Sequence, residues 1–204
     1  MSNIPEKFFD KVKELYTTYE KVKLAIIYTE NFDPKRELYI APINQLRSTL
    51  DHLFKAVAHT DDIDYELKEA QEHLDRAGFD AFEILASNLG IIIYDKLKNY
   101  STETLTAVFP DYYKTIRPKI VDIQTKLGEI RKSKKNSLNG INVSFTSYFE
   151  QIEILLEFNK IVDCTIPAIE EYQKKRRRER LFNFIITGIL SAVISGLIVY
   201  FITK

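Results

Sequence analysis

Residues 181–202 read LFNFIITGILSAVISGLIVYFI, a run of 22 residues without a charge. As an α-helix rising 1.5 Å per residue it spans about 33 Å, enough to cross the hydrocarbon core of a bilayer. The core helix of a small domain keeps charge on its solvent face, whereas this segment is uncharged on every face, so it reads as a transmembrane helix. Immediately before it stands KKRRRER, residues 174–180, six bases against one acid; after it come only Thr203 and Lys204. The positive-inside rule then keeps the N-terminal part cytoplasmic, with the basic stem against anionic lipid and a tail-anchored, single-pass topology. The expected organisation is a cytoplasmic helical bundle over 1–173, a juxtamembrane stem over 174–180, a transmembrane helix over 181–202 and an extracytoplasmic tail of two residues.

Working outward, 204 residues at 45% hydrophobic suffice for one modest domain and this appendage, which excludes a multidomain enzyme. The 29 bases and 29 acids balance only globally: residues 1–173 carry 22 bases and 28 acids, a net of −6, and the stem carries +5. No overall basic bias points to nucleic acid. The single cysteine, Cys164, excludes an intrachain disulfide and a Cys-rich zinc site, and next to Asp163 it reads as core packing rather than a nucleophile. The N-terminus lacks the apolar core of a signal peptide.

Helical periodicity runs through the body. Phe8, Val12, Leu15, Tyr16, Tyr19, Val22 and Ile26 recur at helical spacing until NFDP (31–34) ends the first helix. A second runs over about 41–59, with Ile43, Leu46, Leu50, Leu53, Phe54 and Val57 as its apolar stripe. The third covers about 65–99, from Leu67 through Leu74 and Leu85 to Ile92, and its Gly78 and Gly90 invite close helix packing. Ser101-Thr102-Glu103 opens a shorter element, and Pro110-Asp111 restarts a helix that Pro118 kinks. Residues 131–143 (RKSKKNSLNGINV) read as a loop. From Ser144 a last helix holds Phe145, Ile152, Leu155, Asn159, Val162 and Ile166, bends at Pro167 and continues into the membrane segment. With no alternating segment to make strands, the expected fold is all-α, an antiparallel bundle with a C-terminal single-pass helix.

Candidate chemistry is sparse. His52, His59 and His73 follow no metal-ligand spacing and no phosphate loop occurs, so neither metal nor cofactor is expected and the chain reads as a non-enzyme. The strongest ligand candidate is the stretch carrying Lys114, Arg117, Lys119, Lys126, Arg131, Lys132, Lys134 and Lys135, a net of +6 once Asp122 and Glu129 are counted, preceded by Tyr112 and Tyr113, which could stack a base. A solvated helix face and a basic loop are the alternative reading. In the membrane helix, Asn183, Thr187, Ser191 and Ser195 form one polar stripe at i, i+4, i+8 and i+12, with Gly188, Ala192 and Gly196 as an adjacent small-residue stripe. Small-residue stripes let helices approach, and hydroxyl or amide groups avoid lipid by facing another helix or water. A homo-oligomer follows, with the polar stripe lining a pore and the small stripe at the helix contacts.

Two resemblances bear on function. Arg47-Ser48-Thr49-Leu50-Asp51-His52, an Arg-x4-His, resembles the signature of the HEPN superfamily, helical bundles many of which are metal-independent RNases that use an Arg and a His across a dimer. On one helix these two residues lie about 140° apart, so a single chain would not close such a site. Otherwise Arg47 pairs with Asp51, and His52 and His59 are solvated. The architecture, together with NQLRSTLDHL (44–53) and AQEHLDRA (70–77), resembles the single-pass membrane effectors of bacterial anti-phage defence of the Hailong type. That resemblance implies a homo-oligomeric ion channel controlled by a nucleotide or oligonucleotide from a partner nucleotidyltransferase. The alternatives are a passive tail-anchored adaptor that recruits a protein to the membrane and a membrane-tethered RNase.

Overall fold

The computed structural model describes residues 6–58, 62–136 and 145–203. The described residues form six α-helices and no strand: α1 (Glu6–Asn31), α2 (Ile40–Ala58), α3 (Ile63–Leu97), α4 (Thr102–Val108), α5 (Arg117–Asn136) and α6 (Phe149–Ile202). A π turn (Tyr112–Ile116) precedes α5, and a 3-10 turn (Phe145–Tyr148) precedes α6.

α3 is the axis of the bundle, packed by α1, α2, α5 and α6. Side-chain pairs fix the directions. Lys11 meets Asp64 and Thr29 bonds the Ala81 carbonyl, so α1 runs with α3; Gln45 meets His73 and His52 meets Glu66, so α2 runs against it. α5 returns antiparallel to α3 and α6 runs alongside it, with Phe145 near Phe79 and Asn159 bonded by Lys96. Successive long helices thus alternate, with the short α4 set into one connection, where Ser101 Oγ caps it by accepting the Thr104 N–H. Because several neighbours cover it, α3 buries far more than one stripe, including Phe79, Phe82, Leu85, Leu89 and Ile93. Its length and composition would also suit a membrane, but half of its most apolar window is buried inside the bundle.

Gly78 is required where the chain enters α6. A Cβ built there would lie 2.3 Å from Cγ of Phe145, whose ring occupies the space. The buried Asp75 carboxylate accepts the Phe145 backbone N–H at 2.6 Å and is bonded in turn by Gln71. A polar clamp and an aromatic plug therefore seat the same residue. From there Ile152, Leu155, Asn159, Val162 and Ile169 line the buried face of α6 at alternating three- and four-residue steps, with Ile166 half-buried in the same series. Lys96 donates to Asn159 Oδ1 at 2.9 Å and to Asp163 Oδ1 at 2.5 Å, which satisfies the oxygen of the buried Asn159 amide.

Several expectations are corrected. The helix does not end before Arg131: α5 continues to Asn136, because Arg131, Lys132, Lys134 and Lys135 are good helix formers and the nearest turn signal, Asn139-Gly140, lies outside the described residues. At Pro118 the chain widens: the Arg117 N–H bonds the Tyr112 carbonyl five residues back, a π turn ahead of a residue that has no N–H and crowds the carbonyl four before it. In α2 the buried face is Pro42, Thr49 and Ala56 flanked by Leu46 and Leu53, while Ile43, Leu50, Phe54 and Val57 are exposed. Apolar periodicity located the helix but set its inward face one step off, since α3 presents its Glu66 and His73 to α2 and accepts polar partners there. Cys164 is exposed, on the far side of α6 from its buried series. Helix α6 itself begins at Phe149, after the 3-10 turn, and passes Pro167 without interruption.

Candidate functional site

The candidate membrane span is the last part of a helix that begins in the bundle. α6 is 54 residues, about 80 Å at helical rise. Its last clear tie to the body is Arg176, which donates to Glu103 of α4 and to the Tyr172 hydroxyl. Beyond it every described side chain of the apolar stretch is exposed, and none of its most apolar window is buried. Asn183, Thr187, Ser191 and Ser195 lie in this exposed helix, and none of the four side chains makes a hydrogen bond within the chain among the described residues. Around Gly188 and Gly196 nothing comes within 4 Å of an added Cβ, and Ala192 is equally open. Both stripes are therefore available to another helix.

The basic stretch is less of a unit than its sequence suggests. Lys114 and Arg117 are exposed on the π turn and at the start of α5. Lys119 and Lys126 both bind Asp122, at 3.2 and 3.1 Å, and these two bonds hold its carboxyl below its ordinary pKa against the opposing desolvation. Arg131, Lys132, Lys134 and Lys135 continue the helix in backbone, and their side chains lie outside the described residues. Tyr112 offers no stacking face: it is buried against Phe109 and Tyr113, and burial pushes its phenol pKa up. Tyr113 is half-buried on the same core.

The histidines behave differently from expectation. His52 is not solvated on an outer face. It points at α3, where its Nδ1 lies 2.6 Å from Glu66 Oε2 and its ring stacks on His73 with centroids 5.2 Å apart. His73 Nδ1 lies 2.7 Å from Gln45 Oε1, and burial first, then the charges of Arg76 and His52, hold its pKa down. Glu69 sits one turn before His73, and one ligating atom from each of His52, Glu69 and His73 lies within 4.8 Å of the other two. Asp51 pairs with Lys55, not with Arg47, and Arg47 is exposed. His59 lies outside the described residues. No sequence spacing revealed this cluster, because two of its residues are i, i+4 on α3 while the third is supplied by α2. The signal that could have found it is the heptad match of Gln45 and His52 on one helix with Glu66 and His73 on the other.

Between α1 and α2 lies an apolar groove of about 440 Å³ lined by Val12, Tyr16, Tyr19, Leu46, Leu50 and Leu53. Leu15 and Leu74, which also line it, belong to the second, smaller core cluster with Ala56, Leu67 and Ala70. Across the molecule a more polar cleft of about 570 Å³ runs between the α1–α2 connection, α3 and α5, edged by Asp33, Glu37, Glu83 and Gln124. There Asp33 accepts the N–H groups of Lys35 and Glu37. Desolvation works to raise its carboxyl pKa, and these backbone bonds outweigh it, so the group lies below its ordinary value. Compared with protein-family models, with curated proteins and with solved structures, the chain matches none.

Proposed function

We propose that this protein is an oligomeric membrane effector that forms a controlled ion-conducting pore, with its bundle in the cytoplasm. The observation that carries the reading is the continuity of α6, one helix whose first half is a wall of the bundle and whose second half is the apolar span. A change in how α6 sits against α3 and α4 is then carried along a rigid rod into the span, without a flexible linker to absorb it. In the assembly Asn183, Thr187, Ser191 and Ser195 line the water path and Gly188, Ala192 and Gly196 set the helix spacing. The control signal in this reading is a nucleotide or oligonucleotide drawn to Lys114, Arg117 and the basic end of α5, and a nucleotidyltransferase partner would supply it.

The test replaces residues 181–202 by an unrelated apolar anchor of equal length. Ion leakage from proteoliposomes is expected to vanish while membrane association persists. The second reading, a passive adaptor, is favoured by the uncovered α1–α2 groove, which suits a protein partner. An adaptor would keep its function after the anchor swap, and unchanged activity with the foreign anchor would overturn the channel reading.

A further inference from the structure

We propose that His52, Glu69 and His73 form a binding site for a divalent transition metal, Zn2+ foremost, that fastens α2 to α3. The donor set is two imidazoles and one carboxylate with ligating atoms within 4.8 Å of one another. Around Zn2+ at about 2.0–2.2 Å, tetrahedral ligands stand roughly 3.4 Å apart, so occupancy asks only for a small inward adjustment of three half-buried side chains. The fourth position, toward solvent, takes water.

What distinguishes this cluster from a chance gathering of polar groups is that Nδ1 of each ring is already engaged by an oxygen. Nδ1 of His52 is bonded to the Glu66 carboxylate at 2.6 Å and Nδ1 of His73 to the Gln45 amide oxygen at 2.7 Å. With its proton on Nδ1 facing these oxygens, each ring would offer Nε2 to a metal. That is the arrangement in which metal-bound histidines are held, one nitrogen on the metal and the other donating to a carboxylate or carbonyl. Glu69, on the same face of α3 as His73, supplies the negative charge that a divalent ion requires beside two neutral rings. The supporting pairs also carry the register. Gln45 stands opposite His73 and His52 opposite Glu66, two levels of the antiparallel contact seven residues apart, and the two rings meet between them with centroids 5.2 Å apart. The fully buried residues of α2 are Pro42, Thr49 and Ala56, with Leu46 and Leu53 packed beside them, and a metal crosslink would add to that contact.

The experiment uses tag-free full-length protein in mild detergent, stripped with a chelator and transferred to metal-free buffer. Titration with Co2+, followed by its visible absorption, and with Zn2+, followed by calorimetry, is expected to saturate at one ion per chain and to raise the melting temperature. Glu69→Gln, which keeps the shape of the side chain, should weaken binding at least about tenfold, and Glu66→Gln, which touches only the outer support, about 10–100-fold. The double variant His52→Ala/His73→Ala should abolish it, while Glu69→Gln shows whether loss of binding occurs in a chain with wild-type helicity. Absence of saturable binding in the wild type, or binding by the double variant equal to wild type, would overturn the proposal.

Discussion

The two halves of α6 differ in burial along one unbroken backbone. Over 149–172 the helix is amphipathic: Ile152, Leu155, Val162 and Ile169 are fully buried, and Glu150, Glu157 and Lys160 face water. Over 181–202 no face is buried, and Leu190, Val193, Ile194 and Leu197 are each more than half exposed. The bundle half is held by partners within the chain, whereas the apolar half, a candidate membrane span, leaves its described side chains exposed. Burial within one chain therefore separates the two functions of the helix more clearly than its secondary structure, which is the same throughout.

The sharpest way to test that contrast is to make one substitution in both halves. Leu155→Ala removes a fully buried side chain and should destabilise the bundle by about 2–5 kcal/mol, while Leu190→Ala should change bundle stability by no more than about 0.5 kcal/mol. Thermal melts in mild detergent decide it, and comparable shifts for the two would show that the membrane half packs against the body. Next in size is Gly78→Ala, where the added methyl meets the Phe145 ring and should cost about 1–3 kcal/mol. Pairing it with Phe145→Ala should give a clearly non-additive loss, because the smaller residue removes the clash. If the double change were additive, Phe145 would not be what excludes the methyl.

If the proposed pore forms, Ser191→Leu should lower conductance about tenfold by making the water path apolar, yet leave cross-linked oligomers intact, whereas Ala192→Leu should weaken the oligomers themselves. Normal conductance by Ser191→Leu in an intact oligomer would remove the polar stripe from the pore. The smallest effect is expected at Asp33, far from either half of α6. Its folded pKa lies below the unfolded value of about 3.9, so the stability it contributes is present above that value and is lost as pH falls through the folded one. The acid limb of a stability profile should therefore be shallower for Asp33→Asn than for wild type, with equal slopes indicating that the backbone bonds to Asp33 do not hold its charge.

Much of this molecule is legible without coordinates because the signals are local. An uncharged run of 22 residues, Ser101 ahead of α4, and apolar residues at helical spacing each act on their own segment, so the sequence by itself determined an all-helical chain, its helix order and the apolar C-terminal span. The choice of inward face in α2 was not local, since it depends on what α3 offers opposite. Leu50 and Phe54 are as apolar as Leu53, yet Thr49 and Ala56 take the contact because small side chains let the two helices approach. Tyr112 likewise looks available beside Tyr113 in sequence and is buried once the π turn rolls it onto Phe109. The meeting of His52, Glu69 and His73 was decided by tertiary structure alone. Periodicity specifies which residues share a face of one helix, and only the register between two helices specifies which faces meet.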